Sequence, residues 1–142
     1  MAKRNILTEG DETLRRKARP VEKIDDRLLS LLDDMAETMY AANGIGLAAT
    51  QVGVLKRVFV ADVNDEHGLV EYINPVISNP TGSQTGPEGC LSCPGAAGDV
   101  VRPAELDIEA TDRNGNRFRI HATELLAVCV SHETDHLDGV LF

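Results

Sequence analysis

No tryptophan occurs in these 142 residues, and cysteine appears only three times. Three is an odd number, which speaks against a disulfide framework and for reduced thiols or metal ligation. Basic residues are in the minority: 14 Lys and Arg stand against 23 Asp and Glu, for a net charge of -9. Phosphate contacts need clustered Lys and Arg, so nucleic acid is not an expected partner. The one basic cluster, Arg15-Arg16-Lys17 with Arg19, shares its segment with Glu9, Asp11 and Glu12 and reads as a solvated face. No run is long and apolar enough to cross a membrane. The start, Met1-Ala2-Lys3-Arg4-Asn5, leads into no apolar signal core, which predicts a cytoplasmic protein.

What is present suits one soluble domain over residues 1–142. Asp25 or Asp26 can cap a helix running to about residue 42, because Leu28, Leu31, Leu32, Met35, Met39 and Tyr40 recur at the helical period. Asn43-Gly44 ends it. Strands are predicted over 55–63, 71–76 (stopping at Asn74-Pro75), 100–103, 105–111 and 117–121, with Asn114-Gly115 as a hairpin turn. The Gly-, Pro- and Ser-rich stretch 79–88 reads as loop. Thr123 is expected to cap a second helix from 124 to about 137, with Gly139 closing it. β-Segments between two helices predict an α+β domain.

The second helix carries His132-Glu133-Thr134-Asp135-His136. Residues four apart on an α-helix share a face, so His132 and His136 can direct two imidazoles at one metal ion. Glu133 stands beside the first, within reach of a water on that metal. Leu125, Val128 and Cys129 lie on the same face by spacing, as core or as the wall of a pocket. A third ligand could be Cys90, Cys93, Cys129, His67, His121 or a carboxylate. Cys90 and Cys93 form CxxC, and with the two histidines they would make a closed Cys2His2 zinc site. The long separation from Cys93 to His132 and the presence of Glu133 weigh against that reading.

Three blocks together resemble peptide deformylase: Gly44-Ile45-Gly46-Leu47-Ala48-Ala49-Thr50-Gln51, Glu88-Gly89-Cys90-Leu91-Ser92, and His132-Glu133-Thr134-Asp135-His136. They stand in that family's order and at its approximate spacing. Asn74-Pro75, Pro94-Gly95 and Arg102-Pro103 extend the likeness over nearly the whole chain. The resemblance implies short antiparallel sheets around a central helix bearing the HExxH motif, with the N-terminal helix packed on them. It implies Cys90, His132 and His136 as ligands of one divalent metal, Fe(II) in cells with Zn, Ni or Co possible in purified protein. Glu133 would be general base and acid. Gln51 and the backbone N–H of Leu91 would hold the formyl oxygen, where losing one such donor costs typically about 3 kcal/mol. Gly44, Ile45, Gly46 and Gly89 would bind the substrate main chain as an added strand. Ile45, Leu125, Val128 and Cys129 are candidates for a pocket reading the methionine side chain. The implied substrate is the N-formyl-methionine of new polypeptides, and a monomer is expected. The resemblance also implies that a C-terminal extension present in many members is lacking here. Ser131 stands where the family usually has Gln.

Two other classes fit parts of the pattern. A metallopeptidase of the HExxH type would cleave unformylated peptides. A non-catalytic zinc module would depend on Cys93 as much as on Cys90.

Overall fold

A computed structural model gives the fold; it describes residues 3–8, 11–90 and 92–140, and the backbone alone for 87, 89, 90 and 93–97. Helix α1 spans Asp26–Ala41, and Asp25 caps it by accepting from the Leu28 N–H at 3.0 Å. The helical period brings Leu28, Leu31, Leu32, Met35 and Met39 onto one buried face. Tyr40, expected on that face, is exposed instead, and its hydroxyl donates to Asp62 at 2.6 Å. It falls just past the edge of the apolar stripe, where a phenol can reach water and a partner. Asn43 takes the left-handed conformation, φ 58°, and the Gly44 N–H closes the helix onto the Met39 carbonyl at 2.9 Å.

Among the described residues seven strands follow: β1 (Gly46–Ala48), β2 (Val58–Ala61), β3 (Val70–Thr81), β4 (Gln84–Cys90), β5 (Cys93–Arg102), β6 (Glu105–Thr111) and β7 (Arg117–Thr123). Five of them form an antiparallel sheet in the order β1-β2-β3-β6-β7, and β4 and β5 form a separate ribbon. Helix α2, Glu124–Leu137, completes the fold. The architecture is α+β, as predicted.

Side chains alternate across a strand, so the central strands serve two cores. Val58 and Val60 of β2 join Leu47, Ile73 and the apolar face of α1 in one cluster. Phe59 and Ala61 face the other way and join Tyr72, Leu106, Ile108, Ala127, Val130 and Leu137, among them residues of α2. Phe59 and Tyr72 stack at 4.6 Å between ring centroids.

Several boundaries differ from expectation, each for a local reason. The strand predicted over 55–63 is only Val58–Ala61, because backbone groups at 55 and 57 bond Arg19 of the N-terminal segment instead. β3 does not stop at Asn74-Pro75 but runs on to Thr81. Register shifts between Ile73 and Val76, and again between Ser78 and Thr81, bracket Pro75 and Pro80. A proline has no N–H to give to a ladder, and a bulge accommodates it. Most of the stretch expected to be loop, 79–88, lies in β3 and β4; a two-stranded ribbon needs no apolar alternation to pair. β5 starts at Cys93, well before residue 100. Around Asn114-Gly115 the hairpin is as expected: the Asp112 N–H reaches the Asn116 carbonyl at 2.9 Å and Gly115 has φ 87°.

Thr123 occupies the N-cap of α2, yet its side chain makes no capping bond. At the other end Gly139 turns the chain with φ 82°, and a Cβ there would collide with the Arg15 carbonyl. The Ala18 N–H and the Arg57 guanidinium both donate to the Leu137 carbonyl, at 2.7 and 3.2 Å. Arg57 also pairs with Asp138 at 3.0 Å. The C-terminal end of α2 is thereby fixed to the N-terminal segment and to the start of β2. Among the described residues no helix is long and apolar enough to cross a membrane.

Candidate active site

α2 lies against β1 and β2, and its inward face is polar over its last two turns: Ser131, His132, Glu133 and His136 are all buried. The helical repeat places His132 and His136 one turn apart, and their Nε2 atoms face each other at 2.9 Å. His132 Nδ1 lies 2.9 Å from the Glu88 carboxylate. With the proton on Nδ1, its Nε2 presents a lone pair, the usual way an outer carboxylate fixes the tautomer of a ligating imidazole. Burial pushes His136 down to about 3, and His132 and Arg102 add to the effect, so this ring stays neutral.

Glu88 belongs to a network of charges, buried at Glu88 and Arg102 and partly exposed at Asp135, that runs back to the helix. It accepts from Arg102 Nε and Nη2, each at 3.0 Å, and Arg102 also donates to Asp135 inside the HExxH motif. Burial pushes the Glu88 carboxyl up, but the bonds from Arg102 and His132 outweigh it and hold the group below the ordinary carboxylate range. Helix α2, β4 and β5 are thus joined through His132, Glu88, Arg102 and Asp135.

Glu133 sits on the other flank, against β1, with no hydrogen-bond partner for its Oε1 among the described residues. Burial pushes its carboxyl up to about 8, opposed by Arg102 and helped by Glu88. A carboxyl of that kind is suited to exchanging a proton near neutral pH. Cys129 is buried one turn before Glu133 and donates to the Ile45 carbonyl at 3.5 Å. Gln51 lies on a 3-10 turn, Ala49–Val52, directly after β1. Its Oε1 accepts from the Ala48 N–H at 3.0 Å, and its Nε2 donates to Ser92 Oγ at 3.2 Å, joining the end of β1 to the turn between β4 and β5.

The site residues expected from the sequence distribute as follows. His132, His136, Glu133, Gly46, Ile45 and Cys129 come together where α2 crosses β1. Gly44 and Ile45 lie in the loop leading into β1, an edge strand of the sheet. Gly89 is in β4, paired with Ala97, and the Cys90 backbone pairs with Cys93. Val128 is half-buried, and Leu125 is exposed at the start of α2, about two turns from His132. The Cys90 and Cys93 side chains and the whole of Leu91 lie outside the described residues. His121 is engaged elsewhere, with Asp107 and Glu105 each 2.8 Å from a ring nitrogen. His67 pairs with its neighbour Glu66.

Two converging imidazoles suit a borderline divalent cation such as Zn, Fe, Ni or Co. Among the described residues no group of three or more His, Cys, Asp or Glu side chains is placed to hold a metal ion. Sequence reasoning gave no part to Arg102 and Asp135 beyond motif matching. Their signal was weak: one Arg in a ribbon strand, and one Asp at a variable position of HExxH.

The fold and the site define a class, an α+β domain whose HExxH helix packs across one face of its main sheet. The chain matches the polypeptide deformylase family over residues 3–142. It is 58% identical to the peptide deformylase of Acetivibrio thermocellus over 142 residues, covering 100% of this chain and 82% of that one. With the peptide deformylase of Alkaliphilus metalliredigens it shares 54% identity, covering 100% and 95%. A crystal structure of a peptide deformylase from Legionella pneumophila superposes with a TM-score of 0.95 at 46% identity, over 99% of this chain and 84% of that one. Another, from Ehrlichia chaffeensis in complex with actinonin, gives 0.96 at 41% identity, over 100% and 87%. The chain belongs to the polypeptide deformylase family.

Proposed function

We propose that Glu133 is the general base and acid in the hydrolysis this chain performs, and that Cys90, His132 and His136 hold the one divalent cation it uses. The chain is a hydrolase of N-terminal processing: as a deformylase it removes the formyl group from the N terminus of newly made polypeptides. The family is metal-dependent. The observation that carries the proposal is the juxtaposition on α2: two imidazole nitrogens facing each other at 2.9 Å, and beside them a buried carboxyl without a partner for Oε1 among the described residues.

Held by Cys90, His132 and His136, a divalent cation would supply Lewis acidity, which lowers the pKa of water to about 7. Glu133 would take a proton from the attacking water and return it to the leaving amine. Gln51 Nε2 and the Leu91 N–H donate to the formyl oxygen as negative charge grows there. In the protein alone Gln51 Nε2 is held by Ser92, so Ser92 keeps that amide pointed toward the β4–β5 turn. β1 is an edge strand of the sheet, and the main chain at Gly44, Ile45, Gly46 and Gly89 would pair with the substrate. Ile45, Val128 and Cys129 would form the methionine pocket, with Leu125 at its rim. His132 keeps its orientation through Glu88, and Glu88 through Arg102 and Asp135.

The finer assignments belong to the same proposal: Fe(II) as the metal in cells, N-formyl-methionyl peptides and nascent chains as substrates, and actinonin as a ligand of the site. So do a cytoplasmic monomer without nucleic-acid or membrane partners, and residues 1–142 acting as one catalytic domain. The test is formate release from formyl-Met-Ala-Ser by anaerobically metal-loaded protein, with Glu133→Gln as control. Release by the wild type and its loss in the variant, at unchanged metal content, is expected. Full turnover by Glu133→Gln would overturn the base assignment, and metal retention by Cys90→Ser would overturn that ligand.

A further inference from the structure

We propose that Gly46 positions the general base: the side chain it lacks is the space that the Glu133 carboxylate fills. The inference rests on the reading of Glu133 as base.

Gly46 has no conformational reason to be glycine. It is not among the residues with positive φ, and it pairs regularly with Ala61 in β1. What distinguishes the position is what stands above it. A Cβ on Gly46 would lie 2.7 Å from Glu133 Oε2, 3.0 Å from Glu133 Cγ and 2.8 Å from Cys129 Sγ. Separations this short lie well inside the roughly 3.5 Å at which carbon contacts are favourable, so the two side chains would have to move.

Neither can move freely. Glu133 is buried on a helix packed against β1, and Cys129 is tied to the Ile45 carbonyl. With no described hydrogen bond reaching Glu133 Oε1, packing sets the place of this carboxylate, and the bare backbone of Gly46 is one wall. The role is separate from strand addition. An added strand bonds to β1 in the plane of the sheet, whereas the Cβ direction is perpendicular to it.

The test is a steady-state comparison of Gly46→Ala with the wild type on formyl-Met-Ala-Ser, together with metal content. Misplacing a reacting group by about 1 Å costs on the order of a hundredfold. The expectation is a kcat loss of that order, KM within about threefold, and unchanged metal. Adding Glu133→Asp supplies a second readout. Asp is one methylene shorter and withdraws the carboxylate from position 46, so Gly46→Ala should cost clearly less in that background than in the wild type. Gly46→Ala/Cys129→Ala removes the collision with sulfur and keeps the one with Glu133; it carries the same measurement should Gly46→Ala alone not fold. Wild-type kcat in Gly46→Ala, a change in KM alone, or equal cost in both Glu133 and Asp backgrounds would each overturn the inference. If Glu133→Gln keeps turnover, the base assignment fails with it. If Glu133→Gln is inactive while Gly46→Ala is not, only the role of Gly46 fails.

Discussion

α1 and α2 pack on opposite faces of the same strands but bury different chemistry. The inward stripe of α1 is aliphatic, and its two buried polar residues are served by the N-terminal segment. Asp34 pairs with Arg4 at 3.0 Å, and Thr38 Oγ1 accepts from the Arg4 N–H at 2.8 Å. The inward stripe of α2 carries two imidazoles and a carboxyl, with Glu133 Oε1 lacking a partner among the described residues. Burying a polar group without a hydrogen bond costs free energy, so α2 holds these groups only because the rest of the fold fixes it. Arg57 and Ala18 anchor its C-terminal end, and the Glu88–Arg102–Asp135 ring anchors its polar flank. One helix contributes apolar burial, and the other is held in place with polar groups on its buried face.

The comparison can be broken from either side. The largest effect is expected from Arg102→Ala, which strands two carboxylates. Opening a buried ion pair by removing one partner costs about 3–5 kcal/mol. Chemical denaturation should show that loss, and kcat should fall as well because the Glu88 that orients His132 loses its anchor. An equally stable, fully active variant would show that the ring positions nothing. Met35→Ala on α1 should cost roughly 3 kcal/mol through lost burial and a cavity. Its kcat per folded molecule should match the wild type, since the damage lies on the far side of the sheet. Asp25→Ala removes the cap of α1 and should lower stability by about 1 kcal/mol, seen in the denaturation midpoint, again without a kinetic effect.

The smallest effect concerns pH. On the outer face, hydrogen bonds to Asp107 and then Glu105 hold His121 above its ordinary value of 6.5. A raised folded-state value means that the stabilisation is complete below 6.5 and is lost as pH rises through the folded value. His121→Gln should therefore flatten stability against pH in that window and leave formate release alone. A titration of the His121 ring by NMR showing no upward shift would contradict it.

Both helices were legible in the chain because an apolar period of about 3.6 residues is a local signal. Asp25, Asn43 and Gly139 mark three of their four ends, and they do what their residue types suggest. The strands were legible in part. Val58-Phe59-Val60 announces a buried strand, but the extension of β3 through Pro75 and Pro80 depends on β6 pairing beside it and on bulges that absorb the prolines. Of the ribbon, the sequence pointed only to the end of β5, residues 100–102; the rest left no apolar alternation to find. Of the site, the HExxH pair could be read because helix geometry alone brings its residues together. Tyr40 and Leu125 carried the right spacing and yet face outward, since spacing cannot say where a stripe ends.

By itself, then, the sequence determined the elements that local periodicity and capping dictate, the pair of histidines one helical turn apart, and the motifs by which its family was recognised. Only the tertiary structure decided what surrounds those groups. Burial of α2 against β1 raises the Glu133 carboxyl and keeps His136 neutral. Ribbon pairing carries Glu88 and Arg102 to His132 and Asp135. The bare backbone of Gly46 leaves room for Glu133, which lies 87 positions further along the chain (133 minus 46). Desolvation and steric contact between distant segments depend on how strands and helices stack, and no local pattern of residue types encodes them.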